Sequence, residues 1–151
     1  MGLWERNHLG LSEREVEHCR LAWTVLTSTV GLEVELEVTA STRHYSETVF
    51  RESDGKVHLG ANVLPGAGTS AIERLSVLAC LAHEMAHVDR FQHGFRRPCV
   101  LPDLLVDEAE TSLHASFYTP IGRKDREDLV EHARDLLIKW LYLKSQERSG
   151  S

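Results

Sequence analysis

The sequence predicts an α+β fold in which a small antiparallel sheet packs on one buried helix, with three further helices around it. Three observations support this prediction. Residues 32–63 alternate between apolar and polar side chains with the period of half-buried strands. Residues 76–82 are apolar on almost every side, which is typical of a buried helix. Residues 129–141 place their apolar side chains on one helical face.

Length and composition fit a single domain. The chain has 151 residues, of which 42% are hydrophobic and 26% charged, as in ordinary globular proteins that bury a core. We therefore expect one domain over residues 1–151, with its core between about residues 12 and 144 and with flexible termini.

The same bulk properties exclude several classes of partner. A formal net charge of −6 argues against nucleic-acid binding, which needs a basic surface. The sequence contains no run of 18 apolar residues, so it predicts no membrane span. The first residues contain no apolar signal-peptide core. The three cysteines (Cys19, Cys80 and Cys99) are odd in number and far apart, so they indicate no disulfide framework. These features predict a cytoplasmic protein, and they leave its oligomeric state undetermined.

The first helix has a clear beginning and end in the sequence. Ser12 and Glu15 form a capping-box pattern, so the helix begins directly after Ser12 and extends to about Thr29. Gly31 is placed to end it.

Three strands are predicted next. Leu32 to Ala40 alternates without interruption, and 45–51 and 56–63 are the second and third strands. Asp54 and Gly55 form a tight-turn signal between the last two. We expect the three strands to form an antiparallel meander.

The buried helix and its successors follow. Ser70 and Glu73 repeat the capping pattern and predict one helix to about Gln92, ended by Gly94. Asp103 is a suitable N-cap for the next helix. The residues of that helix are 104–118, and the last helix begins near Asp125.

The buried helix contains the pattern HExxH at residues 83–87. Residues four apart lie on one helical face, so His83 and His87 would direct two imidazoles at one point, the spacing that binds Zn2+. Glu84 would lie close enough to act as general base on a water there. The alternative is a pair of core histidines that bind only protein groups.

A catalytic zinc needs a third protein ligand and an open position. His93 fits the spacing of the three-histidine metzincins. However, Arg90 stands where that motif has glycine, and no methionine follows Met85 to form a Met-turn. In a continuous helix His93 would also face away from His83.

Glu108 and Glu110 are the other candidates for the third ligand. By helical phase, Glu108 shares a face with Leu104 and Leu105, whereas Glu110 falls on a different face. A buried carboxylate needs a partner, and zinc is one. The residue pattern favours Glu108 and leaves Glu110 and His93 as alternatives.

The sheet, the HExxH helix and a later helix that supplies Glu resemble the gluzincin metallopeptidases. The segment Asp107-Glu108-Ala109-Glu110-Thr111 is similar to their NExxS motif, with Asp for Asn and Thr for Ser. The small version it resembles most is the ImmA/IrrE group of bacterial metallopeptidases, over about residues 56–120. The resemblance implies a minimal zincin-like fold, Zn2+ bound by His83, His87 and Glu108, and Glu84 as the base.

The resemblance also implies a zinc metalloendopeptidase that cleaves one or few proteins, with a regulator as a candidate substrate. His114 and Tyr118, which follow Glu108, are candidates to stabilise the transition state. Strand 56–63 would offer an edge to which an extended peptide adds. The alternative is a protein-binding module in which the zinc is structural or the peptidase fold has lost its activity.

Overall fold

The computed structural model describes residues 5–150 and has an α+β architecture. Residues 1–4 and 151 lie outside the described residues. They include the predicted domain limits and the first residues of the segment in which no signal-peptide core was expected. The helices and strands, in chain order, are α1 (Glu13–Val30), β1 (Leu36–Glu37), β2 (Val49–Arg51), β3 (Lys56–His58), α2 (Ala71–Arg74), α3 (Val77–Gln92), α4 (Asp103–Ser116) and α5 (Arg123–Ser149). Among these residues, no helix combines the length and the apolar character that a membrane crossing requires.

Helix α1 has the predicted ends. The Ser12 hydroxyl accepts a hydrogen bond from the backbone N–H of Glu15, and the Glu15 side chain accepts one from the backbone N–H of Ser12. Gly31 ends the helix with φ +78°, a conformation that favours glycine. The local pattern of the sequence therefore determined this helix.

The sheet is mixed, so the prediction of an antiparallel sheet was wrong in part. Its strand order is β1-β3-β2. Strand β2 is antiparallel to β3, with Phe50 opposite Val57, but β1 is parallel to β3, with Leu36 opposite Val57. The turn at Gly55 (φ +70°) confirms the predicted hairpin. Alternation indicates which face of a strand is buried, whereas it does not indicate which strand lies beside it.

The order of the strands also changes which one has a free edge. Strand β3 is central, and Val57 at its middle is fully buried, so β3 cannot receive a peptide by strand addition as expected. Strand β2 is the edge strand that contacts α3. The predicted first strand is reduced to Leu36–Glu37, because the chain turns into a short 3-10 helix at Thr39–Thr42.

The predicted helix over 70–92 is interrupted at Leu75. The Ser76 hydroxyl accepts a hydrogen bond from the backbone N–H of Ala79 and so begins α3 separately. Ser76 also donates to Asp125 at the start of α5 (2.9 Å). The N-cap Ser76 lies beside an apolar stretch, and the sequence alone gave no reason to divide the helix there.

Helix α3 lies at the centre of the fold. Its residues from Ala79 to Val88 are all buried, between α1 and the sheet on one side and α4 on the other. Asp103 is the first residue of α4 and not its N-cap, a position that Pro102 occupies. The buried residues of α5 all lie in its first turns, up to Ala133. This packing places the HExxH segment inside the molecule, against α4.

Candidate metal centre

His83 and His87 both contact the carboxylate of Glu108, which projects from α4. His83 Nε2 lies 2.9 Å from Glu108 Oε2, and His87 Nε2 lies 2.9 Å from Glu108 Oε1. The helical spacing of the two histidines on α3 makes this possible, because residues four apart lie on one face. The structure thus brings together the three residues that the resemblance implied as ligands.

The remaining ring nitrogens of the two histidines contact hydroxyl groups. His83 Nδ1 lies 2.8 Å from Ser112 Oγ. His87 Nδ1 lies 3.5 Å from Thr111 Oγ1, a longer and weaker contact. Both hydroxyls belong to α4, three and four residues after Glu108, and both residues are fully buried. These contacts hold the rings so that their Nε2 atoms face the Glu108 carboxylate.

Glu84 is tied to the sheet. One of its carboxylate oxygens, Oε2, accepts a hydrogen bond from the backbone N–H of Phe50 in β2 (2.9 Å). Its metal-binding atoms and those of His83 and His87 all lie within 4.8 Å of one another. The expected general base is therefore next to the two histidines and fixed by the edge strand.

The residues present fit a zinc ion. Two imidazole nitrogens and one carboxylate are a common ligand set of catalytic zinc. Ligands of a tetrahedral zinc are about 3.3 Å apart, since each bond is near 2.05 Å. The two contacts to Glu108 are slightly shorter, and each uses a different oxygen of the carboxylate. The groups whose ligand atoms all lie within 4.8 Å of one another are His83, Glu84 and His87, and His87, Asp107 and Glu108. In addition, Asp107 Oδ2 is buried without a hydrogen-bond partner among the described residues, and Asp107 lies within 4.8 Å of His87 and Glu108. An orphaned buried oxygen at this point fits a site that holds a cation.

The electrostatics of the cluster favour an ionised carboxylate. Burial opposes the charge on Glu108, but His83 and His87 outweigh burial and hold the pKa of Glu108 well below its usual range. Burial also lowers the pKa of His87, but the hydrogen bond that His87 donates to Glu108 outweighs burial, and the net pKa of His87 is raised. A negative charge is thus maintained beside two imidazoles, which is what a divalent cation requires.

Arg97 is a residue of this cluster that the sequence pattern did not indicate. Its guanidinium donates to Glu108 Oε1 at 2.6 Å, and its backbone N–H donates to Glu52 Oε1 at 3.2 Å. The segment after α3 therefore contacts both the residue that follows β2 and the candidate ligand on α4. Neither local spacing nor helical phase could have predicted this, because Arg97 lies outside any helix or strand.

His132 of α5 was also missed. Its Nδ1 lies 2.9 Å from Ser112 Oγ, so a chain of contacts runs from His83 through Ser112 to His132. Burial, followed by the nearby His83, lowers the pKa of His132 to about 3, so its ring is neutral. The phase of α4 could have indicated Ser112, since it lies four residues after Glu108 on the same face.

The two alternative ligands lie apart from the cluster. The His93 side chain is 72% exposed, and its Nδ1 contacts the backbone carbonyl of Asp89. Glu110 is half-exposed and pairs with Arg90 at 2.9 Å. Among the described residues, neither contacts His83 or His87.

His114 and Tyr118 converge on a different acid. His114 Nε2 lies 2.6 Å from Asp89 Oδ2, and the Tyr118 hydroxyl donates to the same oxygen at 3.1 Å. Burial and the negative charge of Asp89 raise the pKa of Tyr118. His114 Nε2 and the Tyr118 hydroxyl therefore contact Asp89 in this arrangement, and no hydrogen bond joins either residue to His83 or His87 among the described residues.

Access to the cluster is narrow. A small cavity of about 10 Å³ lies beside His87, between Phe50, Arg97 and Asp107, and has room for about one water molecule. A larger cavity of about 360 Å³ reaches Glu108 from the side of α5. The candidate centre can therefore contain a water, while a larger molecule would approach it through one of these openings.

Comparison of the chain with protein-family models, with curated proteins and with solved structures finds no match in any of the three.

Proposed function

We propose that this protein is a zinc-dependent metallopeptidase with a zincin-like fold. The observation on which the proposal depends is the convergence of His83 Nε2 and His87 Nε2 on the two oxygens of the Glu108 carboxylate, each at 2.9 Å. Glu84 lies beside them, at the position that the HExxH motif assigns to a general base.

His83, His87 and Glu108 would hold the ion, which leaves one position open for water or substrate. Bound zinc lowers the pKa of a water toward neutrality and polarises a carbonyl group. Glu84 would take the proton of the attacking water and return it to the leaving amine, so that peptide hydrolysis is complete. The hydrogen bond from Phe50 orients the Glu84 carboxylate for this transfer.

The substrate would be a peptide segment that lies along β2. That strand is the edge of the sheet nearest Glu84, and a sheet edge can pair with an extended peptide. Phe50 N–H is already bonded to Glu84, and Val49 and Arg51 face β3, so the Phe50 carbonyl is the group of β2 that would pair with the peptide. We keep the expectation of one or few protein substrates, such as a regulator, in the cytoplasm.

A first experiment measures zinc in the purified protein and its effect on stability. We expect about one equivalent of zinc, and we expect that a chelator lowers the midpoint of thermal unfolding and added zinc restores it. A protein with less than about half an equivalent and no stabilisation by zinc would refute the proposal.

A non-catalytic zinc site is the second candidate, and one observation favours it. Arg97 already pairs with Glu108, and His87 and Glu108 are only 7% and 8% exposed, so a substrate carbonyl has little access. In that case the centre would stabilise a protein-binding module. Peptide cleavage that depends on zinc and on Glu84 supports the peptidase, whereas zinc-dependent stability without cleavage supports the module.

A further inference from the structure

A buried chain of polar groups connects the candidate ligand His83 to α5. His83 Nδ1, Ser112 Oγ and His132 Nδ1 follow one another at 2.8 and 2.9 Å. His83 and Ser112 are fully buried, and His132 is 6% exposed. Each distance is that of a good hydrogen bond, so each of the two contacts needs one donor and one acceptor.

The count of protons allows one arrangement when His83 binds a metal through Nε2. The single proton of a neutral imidazole is then on Nδ1 and is donated to the Ser112 oxygen. The Ser112 hydroxyl has one proton of its own, and once it accepts from His83, His132 Nδ1 is the one acceptor that it contacts among the described residues. His132 must therefore accept at Nδ1 and keep its proton on Nε2.

We propose that His132 is a positioning residue of the metal centre, which fixes the tautomer and orientation of His83 through the Ser112 hydroxyl. This inference rests on the proposed zinc site. In many zinc proteins a carboxylate or a backbone carbonyl orients the metal-binding histidine directly. Here a serine and a second, neutral histidine perform that task, and α5 becomes part of the site although it supplies no ligand.

The surroundings of His132 are consistent with this role. His132 lines the cavity of about 360 Å³ that also reaches Glu108, and this cavity has room for water beside the residue. The ring also lies 5.9 Å from that of His83, centroid to centroid, in an edge arrangement. His132 can therefore be fully hydrogen-bonded while its Nδ1 accepts from Ser112.

The first test replaces His132 by two side chains of similar shape. His132→Leu removes the acceptor, whereas His132→Asn keeps an oxygen at the position of Nδ1, two bonds beyond Cβ. We expect zinc affinity, measured by competition with a chromophoric chelator, to fall about 10- to 100-fold in His132→Leu and to recover largely in His132→Asn. His18→Leu, at an exposed position of α1, is the control and should bind zinc as the wild type does.

Ser112→Ala tests whether the effect passes through the serine. Ser112→Ala alone should weaken zinc binding at least as much as His132→Leu, and the double variant should bind no more weakly than Ser112→Ala, because both changes break the same chain. Losses that multiply in the double variant would overturn the proposal.

The tautomers provide a readout that needs no substitution. Long-range 1H–15N spectra of zinc-loaded protein should show His83 protonated on Nδ1 and His132 on Nε2. A His132 protonated on Nδ1 would overturn the inference, as would equal zinc affinity in His132→Leu and the wild type, or equal weakening in the Leu and Asn variants. A wild type that binds no zinc would instead refute the proposed function, and this inference with it.

Discussion

The backbone N–H of Phe50 donates to the carboxylate of Glu84 at 2.9 Å, and this bond joins the edge strand to the central helix. Phe50 belongs to β2 and Glu84 to the HExxH segment of α3, 34 residues later in the chain. A charged acceptor makes the bond stronger than one between neutral groups. The side chain proposed as the base is consequently held in one orientation beside His83 and His87.

Glu84→Gln should abolish peptide cleavage and preserve zinc binding. The amide keeps an oxygen that can accept from Phe50 N–H, so the fold is retained, but it cannot take a proton at neutral pH. We expect turnover to fall by a factor on the order of 10²–10⁴, while the zinc content stays near that of the wild type. Glu13→Gln, at an exposed position of α1, is the control. A Glu84→Gln protein that cleaves as fast as the wild type would exclude Glu84 as the base.

Glu108→Ala should lose zinc, whereas His93→Ala and Glu110→Ala should retain it. Of these three residues, Glu108 is the one that contacts both His83 and His87, while His93 is exposed and Glu110 pairs with Arg90. Metal analysis of the three variants after identical purification gives the answer. Loss of zinc in His93→Ala alone would favour the three-histidine arrangement.

Zinc affinity should rise with pH through the neutral range. His87 has a pKa above its ordinary value of 6.5, and it must lose its proton before it can bind the metal. Glu108 has a pKa well below its ordinary value and needs no deprotonation at neutral pH. Competition with a chelator between pH 6 and pH 8.5 measures the slope, and an affinity independent of pH would contradict the prediction.

The stability of chelator-treated, zinc-free protein should fall as the pH rises through the neutral range. The folded-state pKa of His87 is raised, so the His87–Glu108 contact contributes stability that is fully present below pH 6.5 and is lost as the pH rises through the raised value. The low pKa of His132, about 3, would by itself make stability rise with pH near 6.5. Urea unfolding of chelator-treated His132→Asn protein over the same pH range therefore tests the sign of the His87 contribution. A stability that rises with pH would contradict the assignment of the shift to His87.

Arg6→Ala should destabilise the protein by about 3–5 kcal/mol. The Arg6 guanidinium is 2% exposed and donates to three backbone carbonyls, those of Asn62, Val63 and Ile72, at 2.6–2.8 Å. Its removal leaves those oxygens buried without their donors. Urea unfolding measures the loss, and Arg14→Ala, exposed on α1, should change stability by less than about 0.5 kcal/mol. Equal stability of the two variants would show that the contacts of Arg6 contribute little.

The sequence by itself determined the features that depend on local spacing. The caps of α1 at Ser12 and Gly31 follow from side-chain and backbone preferences within a few residues. The four-residue spacing placed His83 and His87 on one face, and helical phase placed Glu108 on the buried side of α4.

The tertiary structure decided which elements lie side by side. It placed β3 between β1 and β2, and thereby made β2 the edge strand beside Glu84. It also buried Asp107, because α4 packs between α3 and α5.

The supporting residues of the candidate centre came from distant parts of the chain. Ser112 and His132 lie 29 and 49 residues after His83, and Arg97 lies in an irregular segment. Their contacts with the centre depend on the packing of α4 and α5 against α3, which no local pattern specifies. The sequence therefore determined the spacing of the chemical groups, and the tertiary structure decided their partners, since hydrogen bonds between distant residues form only when the helices are packed.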